Sequence, residues 1–255
     1  MLRKGTLVLG AFIDTLSWDE TTTKIVAWGA AHESRYVCAC NVHSVVTSTT
    51  DPEFKAAVNG ADMSTPDGAP IAWACRHLGY AKQERINGPD LMWRYLREAE
   101  RLGQSVYFYG STEYSLSRLR SSLELNFPAL VVAGMLSPKF RTLSSSEDEA
   151  DIHTINLSGA NVLFVGLGCP KQEKWMAAHR GRVQAVMIGV GAAFDFHSGL
   201  TRRAPVWMQQ NGLEWLHRLF SEPRRLFKRY LTTNTRFVIG IANQLVSKRL
   251  APEDK

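Results

Sequence analysis

The chain is poor in cysteine, has no long apolar run, and carries none of the short signatures that name a reaction by themselves. Its four cysteines, Cys38, Cys40, Cys75 and Cys169, form no CxxC pair. A zinc ribbon and a thioredoxin-type redox site are therefore excluded. Cys38 and Cys40 lie two apart in an apolar run and would share one face of a strand, so a place in the core is expected. Free thiols suit a reducing compartment. No stretch reaches the roughly 20 apolar residues of a spanning helix; the longest late candidate, Phe237 to Val246, contains Asn243 and Gln244. Near the start, Arg3 and Lys4 precede the apolar residues Leu7 to Ile13, but Asp14 ends that run with no small-x-small site behind it. A first strand is expected there rather than a signal peptide. HExxH, a Ser-His-Asp signature, the Asp-x-Asp triplet of metal-dependent sugar transferases, the Walker loop and the dinucleotide fingerprint are all absent.

What is present is an ordinary globular composition, 45% hydrophobic and 21% charged over 255 residues, which excludes a disordered or collagenous chain. The net charge of +6 is unevenly placed. Residues 202–249 hold ten Lys and Arg against Glu214 and Glu222, a net +8, which leaves −2 on the remainder. A near-neutral body with a basic tail points to an anionic partner for the tail.

Apolar strand-like runs alternate with helix-like segments. Leu7–Phe12, Tyr36–Asn41, Ala61–Pro66, Ser105–Tyr109, Leu130–Gly134, Asn161–Val165 and Ala185–Val190 read as strands or extended pieces. Asp51-Pro52-Glu53 is a helix start, with Asp as cap and Pro in the first turn. Leu91, Tyr95, Leu96, Ala99 and Leu102 share one helical face. The expected fold is α/β, a Rossmann-like, mostly parallel sheet with helices on both faces. Beyond Pro205 only helices rich in Arg and Trp follow. Two units are expected, a catalytic domain over 1–200 and a helical basic appendage over 201–255.

Ligands of open α/β sheets bind at the carboxyl ends of the strands, which singles out Asn41 to Ser44, Asp67-Gly68 and Gly166 to Glu173. Gly166-Leu167-Gly168 is either a tight strand-to-helix turn or a phosphate cradle, with Lys171 and Gln172 at the rim favouring a ligand. Asp67, between Pro66 and Gly68, either caps the helix that begins near Ala69 or serves as a general base. His43 is either structural or an acid/base. Arg85, before Asn87-Gly88-Pro89-Asp90, either holds a phosphate or is solvated. Asp195 caps a turn or contacts a sugar.

Taken in order, these segments resemble the WecG/TagA/CpsF glycosyltransferases (glycosyltransferase family 26). The matching stretches are Asn41-Val42-His43-Ser44, Asp51-Pro52-Glu53-Phe54, Ala61-Asp62 with Pro66-Asp67-Gly68, and Arg85 to Leu91. They continue with Gly166 to Glu173, Gly189 to Asp195, Arg203-Ala204-Pro205, Gly212 to Leu219 and Glu222 to Arg225. The resemblance implies transfer of a HexNAc, hexose or hexuronic acid from a UDP-sugar to a polyprenyl-diphosphate-linked saccharide, with inversion and with neither metal nor cofactor. The setting it implies is bacterial cell-surface polysaccharide synthesis of exopolysaccharide, teichoic acid or common antigen type. Cys169 stands where members more often have alanine, and His43 where they vary between His and Thr.

On this footing Asp67 is expected to deprotonate the acceptor, with Gln172, Asn41 and His43 orienting substrates. Arg85, Asn87, Gly68, Gly166, Gly168, Lys171, Asp195, Arg218 and Arg225 are expected to bind them. Arg218, Arg224, Arg225, Lys228 and Arg229 alternate with Trp215, Leu219, Phe220 and Phe227, a basic amphipathic pattern suited to the anionic inner face of the plasma membrane. No nucleic-acid partner is expected; a homo-oligomer is allowed. The rival readings are a non-catalytic nucleotide-sugar-binding module and a nicotinamide-dependent oxidoreductase, the second disfavoured because its fingerprint is missing.

Overall fold

The computed structural model describes residues 3–250, without the side chains of Arg225 and Arg249. Eight strands and twelve helices lie among them: β1 Gly5–Val8, β2 Ala11–Asp14, α1 Trp18–Ala30, β3 Arg35–Cys40, α2 Val42–Ser48, α3 Pro52–Asn59, β4 Met63–Pro66, α4 Ala69–His77, α5 Gly88–Leu102, β5 Ser105–Gly110, α6 Glu113–Asn126, β6 Val131–Leu136, α7 Ser145–Leu157, β7 Val162–Gly166, α8 Lys171–His179, β8 Val186–Gly189, α9 Ala193–His197, α10 Val206–Gln210, α11 Glu214–Ser221 and α12 Pro223–Leu250.

Six strands form one parallel sheet in the order β4-β3-β8-β7-β5-β6. The central strands read as apolar runs because both their faces are buried. Leu163 and Val165 of β7, with Tyr107 and Tyr109 of β5, face a layer that includes α2, α3, α4, α7 and α8. Val162, Phe164, Val106 and Phe108 face α1, α5, α6 and α9. Cys38 and Cys40 share the first of these faces with Tyr36, and burial pushes both thiols well above their usual range. Parallel strands joined through helices bring their carboxyl ends to one edge, and that edge carries the site.

The expected single strand over Leu7–Phe12 is instead an antiparallel hairpin, β1 and β2. Leu9 and Gly10 form its turn with φ of 50° and 85°. Both signs match a two-residue hairpin turn, but leucine in that conformation leaves no signal in the sequence.

The basic C-terminal helix α12 rests on this body. Phe237 and Ile241 are buried in the same core layer as α2. Gln244 brackets the hairpin, accepting from the Leu9 amide at 3.0 Å and donating to the Leu7 carbonyl at 2.6 Å. Lys248 Nζ donates to the Leu78 carbonyl, just past α4, at 2.6 Å.

Candidate active site

Five strand ends, of β4, β3, β8, β7 and β5, open onto one cavity of about 1340 Å³, roofed by α11 and α12. Asp67 follows β4. Its Oδ1 accepts from the Gly88 amide at the start of α5 at 3.0 Å, and its Oδ2 from Asn41 Nδ2 at 3.3 Å. The cap of α4 is Gly68, which makes no side-chain bond, so the carboxylate of Asp67 does not cap that helix. Burial holds the Asp67 carboxyl above the usual carboxylate range, opposed chiefly by the Arg85 guanidinium. A carboxylate with a raised pKa, fixed by two donors and open to a cavity, can accept a proton.

Asn41 caps α2, its Oδ1 accepting from the Ser44 amide at 3.2 Å, which aims its amide nitrogen at Asp67. His43, in the first turn of α2, lines the cavity half-buried. Burial first, and Arg229 second, hold its pKa below the usual histidine value, so its ring is neutral near pH 7.

Gln172 lies in the first turn of α8, buried. Its Oε1 accepts from the Gly168 and Gly191 amides, each at 3.2 Å, and its Nε2 donates to Glu173 Oε1 at 2.9 Å. It therefore ties the loop after β7 to the loop after β8. The Gly168 amide is already claimed by this bond, and the two glycines of the loop line the cavity together with Leu167 and Cys169. At Gly166 even a Cβ would lie 2.8 Å from the Phe194 ring.

Other expected residues fall in different places. Arg85 lines the cavity, but its guanidinium is engaged: Nε donates to the Asp67 carbonyl at 2.6 Å and Nη2 to Glu214 Oε2 at 2.6 Å. Asn87 caps α5 and bonds Asp90 through its amide, outside the cavity wall. Asp195 lines the cavity and accepts from Ser115 Oγ at 3.0 Å. Lys171, at the first position of α8, is exposed and not part of the wall. Arg218 of α11 is on the wall, its guanidinium 5.5 Å from the Phe196 ring centre. Arg225 lies in α12, and its side chain falls outside the described residues.

The sequence reading missed three participants. Glu214 and Arg203 extend the Arg85 contact into a chain: Arg203 Nε lies 3.9 Å from Glu214 Oε1, and Arg203 also donates to Asp90. Glu214 is one of two acids in a strongly basic stretch, a signal that could have marked it. Arg229, read only as part of the tail's pattern, enters the cavity. Arg203, Arg218 and Arg229 each bury an Nε–H that has no hydrogen-bond partner among the described residues, and of the three only Arg218 and Arg229 also lack a carboxylate partner there.

The family model described as glycosyl transferase, WecG/TagA/CpsF family, matches residues 6–251. The chain belongs to this family. It is 28% identical over 195 residues to the N-acetylglucosaminyldiphosphoundecaprenol N-acetyl-β-D-mannosaminyltransferase of Bacillus spizizenii, an alignment covering 76% of this chain and 74% of that one. As a WecG/TagA/CpsF member the protein is a glycosyltransferase. Among the described residues no cluster of three or more His, Cys, Asp or Glu could hold a metal ion, and no helix is long and apolar enough to cross a membrane.

Proposed function

We propose that the protein transfers a HexNAc, hexose or hexuronic acid from a UDP-sugar to a polyprenyl-diphosphate-linked saccharide, with inversion and without a metal, in building a bacterial cell-surface polysaccharide. The named relative acts on N-acetylglucosaminyldiphosphoundecaprenol, and we take that compound as the first acceptor to test. The observation that carries the reading is that one cavity holds both an oriented carboxylate, Asp67, and two arginines, Arg218 and Arg229, without carboxylate partners among the described residues.

The step is a single displacement. The acceptor hydroxyl gives its proton to Asp67 as its oxygen bonds the anomeric carbon. The bond from that carbon to the nucleotide breaks on the opposite face, and UDP leaves with the electron pair. Charge grows on the departing diphosphate, and fixed donors aimed at developing charge are the large stabilising effect in such sites. Arg218 and Arg229 supply them here, since guanidinium groups match phosphate oxygens bidentately. Asn41 holds Asp67 in place, Gln172 holds the two loops, and neutral His43 can donate to a sugar hydroxyl.

Residues 201–255 form the membrane-associating appendage in this proposal, of which 251–255 lie outside the described residues. Trp207, Phe220 and Phe227 expose 59%, 76% and 61% of their surface amid basic side chains, which suits peripheral contact with an anionic bilayer. The test is a panel of UDP-sugars with the lipid-linked acceptor, reading UDP release and product mass. One donor is expected to give a product heavier by one sugar; UDP binding without product from any donor would leave a binding module instead. In the same preparation, Phe220→Ala with Phe227→Ala should weaken cosedimentation with anionic vesicles several-fold. Unchanged cosedimentation would refute the membrane contact.

A further inference from the structure

We propose that the cavity continues into a channel between α4 and α12 that takes the first isoprene units of the acceptor's polyprenyl chain. This rests on the reading of the acceptor as a polyprenyl diphosphate. The α12 residues on the cavity wall make one stripe of helical spacing from Arg229 to Leu245, about 24 Å long at 1.5 Å per residue. Its character changes once along that length. Arg229, Tyr230, Thr233 and Asn234 come first; Phe237, Val238, Ile241, Ala242 and Leu245 follow. An amphiphile with a diphosphate at one end and hydrocarbon at the other has the same order.

The facing wall runs the same way. Ala69 and Pro70 of α4 follow directly on Asp67-Gly68, and Trp73 lies one turn further along, also on the wall. Past the end of α4 the Leu78 carbonyl receives the Lys248 ammonium. Both helices thus contribute apolar wall to the cavity that holds the reacting carboxylate, and beyond it they are tied together by the Lys248 bond to Leu78. Trp73 and Val238 keep 40% and 62% of their surface exposed there, apolar area that a bound hydrocarbon would remove from water. The cavity also exceeds the roughly 300–1,000 Å³ of an ordinary small-molecule site, so a nucleotide-sugar leaves room within it.

The experiment uses the full chain and a polyprenyl diphosphate saccharide carrying a diazirine on its first isoprene units. Photolabelling is expected within 69–77 or 237–245; labelling confined to the outer aromatic residues Phe220 and Phe227 would overturn the channel. Transfer is assayed with the same acceptor, so label in the channel without transfer would defeat the proposed reaction and not the channel. Transfer with label elsewhere would do the reverse. A second arm substitutes exposed Ala242→Phe, which narrows the channel while keeping the helix apolar, so membrane affinity is not reduced. The ratio of kcat/KM for the polyprenyl acceptor to that for a short-alkyl analogue is expected to fall about tenfold, as for the loss of a few buried methylene groups. A ratio unchanged within about twofold overturns the proposal.

Discussion

Two pairs of arginines meet around one cavity, and the structure treats them oppositely. Arg85 and Arg203 are locked into carboxylates, Arg85 onto Glu214 and Arg203 onto Asp90, with Glu214 also near Arg203. Arg218 and Arg229 have no carboxylate partner among the described residues, and each buries an Nε–H without a hydrogen-bond partner, as Arg203 also does. A buried donor left unpaired is costly, so on the function proposed above the second pair, which no carboxylate answers, is the one that takes the incoming anion. The first pair joins α11 to the loop that carries Asp67. The proposed function thus divides binding charge and docking charge between residues that composition alone counts as equal.

The largest effect should come from the Asp67 carboxylate, the proposed base. Asp67→Asn is expected to lower kcat by about 10²–10⁴, the usual contribution of a positioned general base, while UDP binding measured by calorimetry stays within a few-fold. Because burial raises the Asp67 pKa and the base must be ionised, the wild-type rate should climb with pH through a value above the ordinary carboxylate pKa of about 3.9. The residual rate of the Asn variant should lack that limb. Near-normal turnover would remove Asp67 from the chemistry.

Next come the arginines themselves. Arg218→Ala and Arg229→Ala should each cost about 10–100-fold in kcat/KM, the scale of a lost charge-assisted hydrogen bond, with little change in melting temperature. Glu214→Gln should show the converse pattern. It leaves Arg85 with a weaker partner and is expected to cost about 1–3 kcal/mol of stability, with a smaller fall in kcat/KM. If Glu214→Gln and Arg218→Ala gave the same pattern in the two measurements, the division between docking and binding arginines would be wrong.

Much of this was legible because it is local. Apolar runs such as Val162–Val165 mark strands buried on both faces, and Asp51-Pro52 marks a helix start, which the structure confirms with Asp51 accepting from the Phe54 amide. The rule that ligands gather at strand ends placed Asn41, Asp67 and Gly166 together before any coordinates did. Pairings across the chain were not legible. Arg85 and Glu214 are 129 positions apart, and no periodicity joins them, so Arg85 read as free. Lys171 and Gln172 looked alike at the rim, yet neighbours on a helix point about 100° apart, and one is exposed while the other is buried between two loops. Asp67 read as a possible cap for α4 because only the fold shows that its carboxylate reaches the start of α5.

The smallest effect sharpens the comparison from the acidic side, at Glu173. This residue is 1% exposed, takes the Gln172 amide on Oε1, and leaves Oε2 without a hydrogen-bond partner. Burial raises its pKa above the usual glutamate value. A folded pKa above the unfolded one means that the folded state holds its proton more tightly. That contribution is full below the unfolded value, about 4.3, and is lost as pH rises through the folded value. Glu173→Gln removes the titration and keeps an acceptor for Gln172. The variant should therefore match the wild type near pH 4 and gain on it toward neutral pH. For a chain of this size each 1 kcal/mol appears as about 2–4 °C in Tm, and thermal melts across that range would read it. A difference independent of pH would mean that the cost at this site is packing rather than charge. Glu173 would then be held as an uncharged spacer for Gln172 at every pH, unlike Asp67, whose proposed role requires it to be ionised.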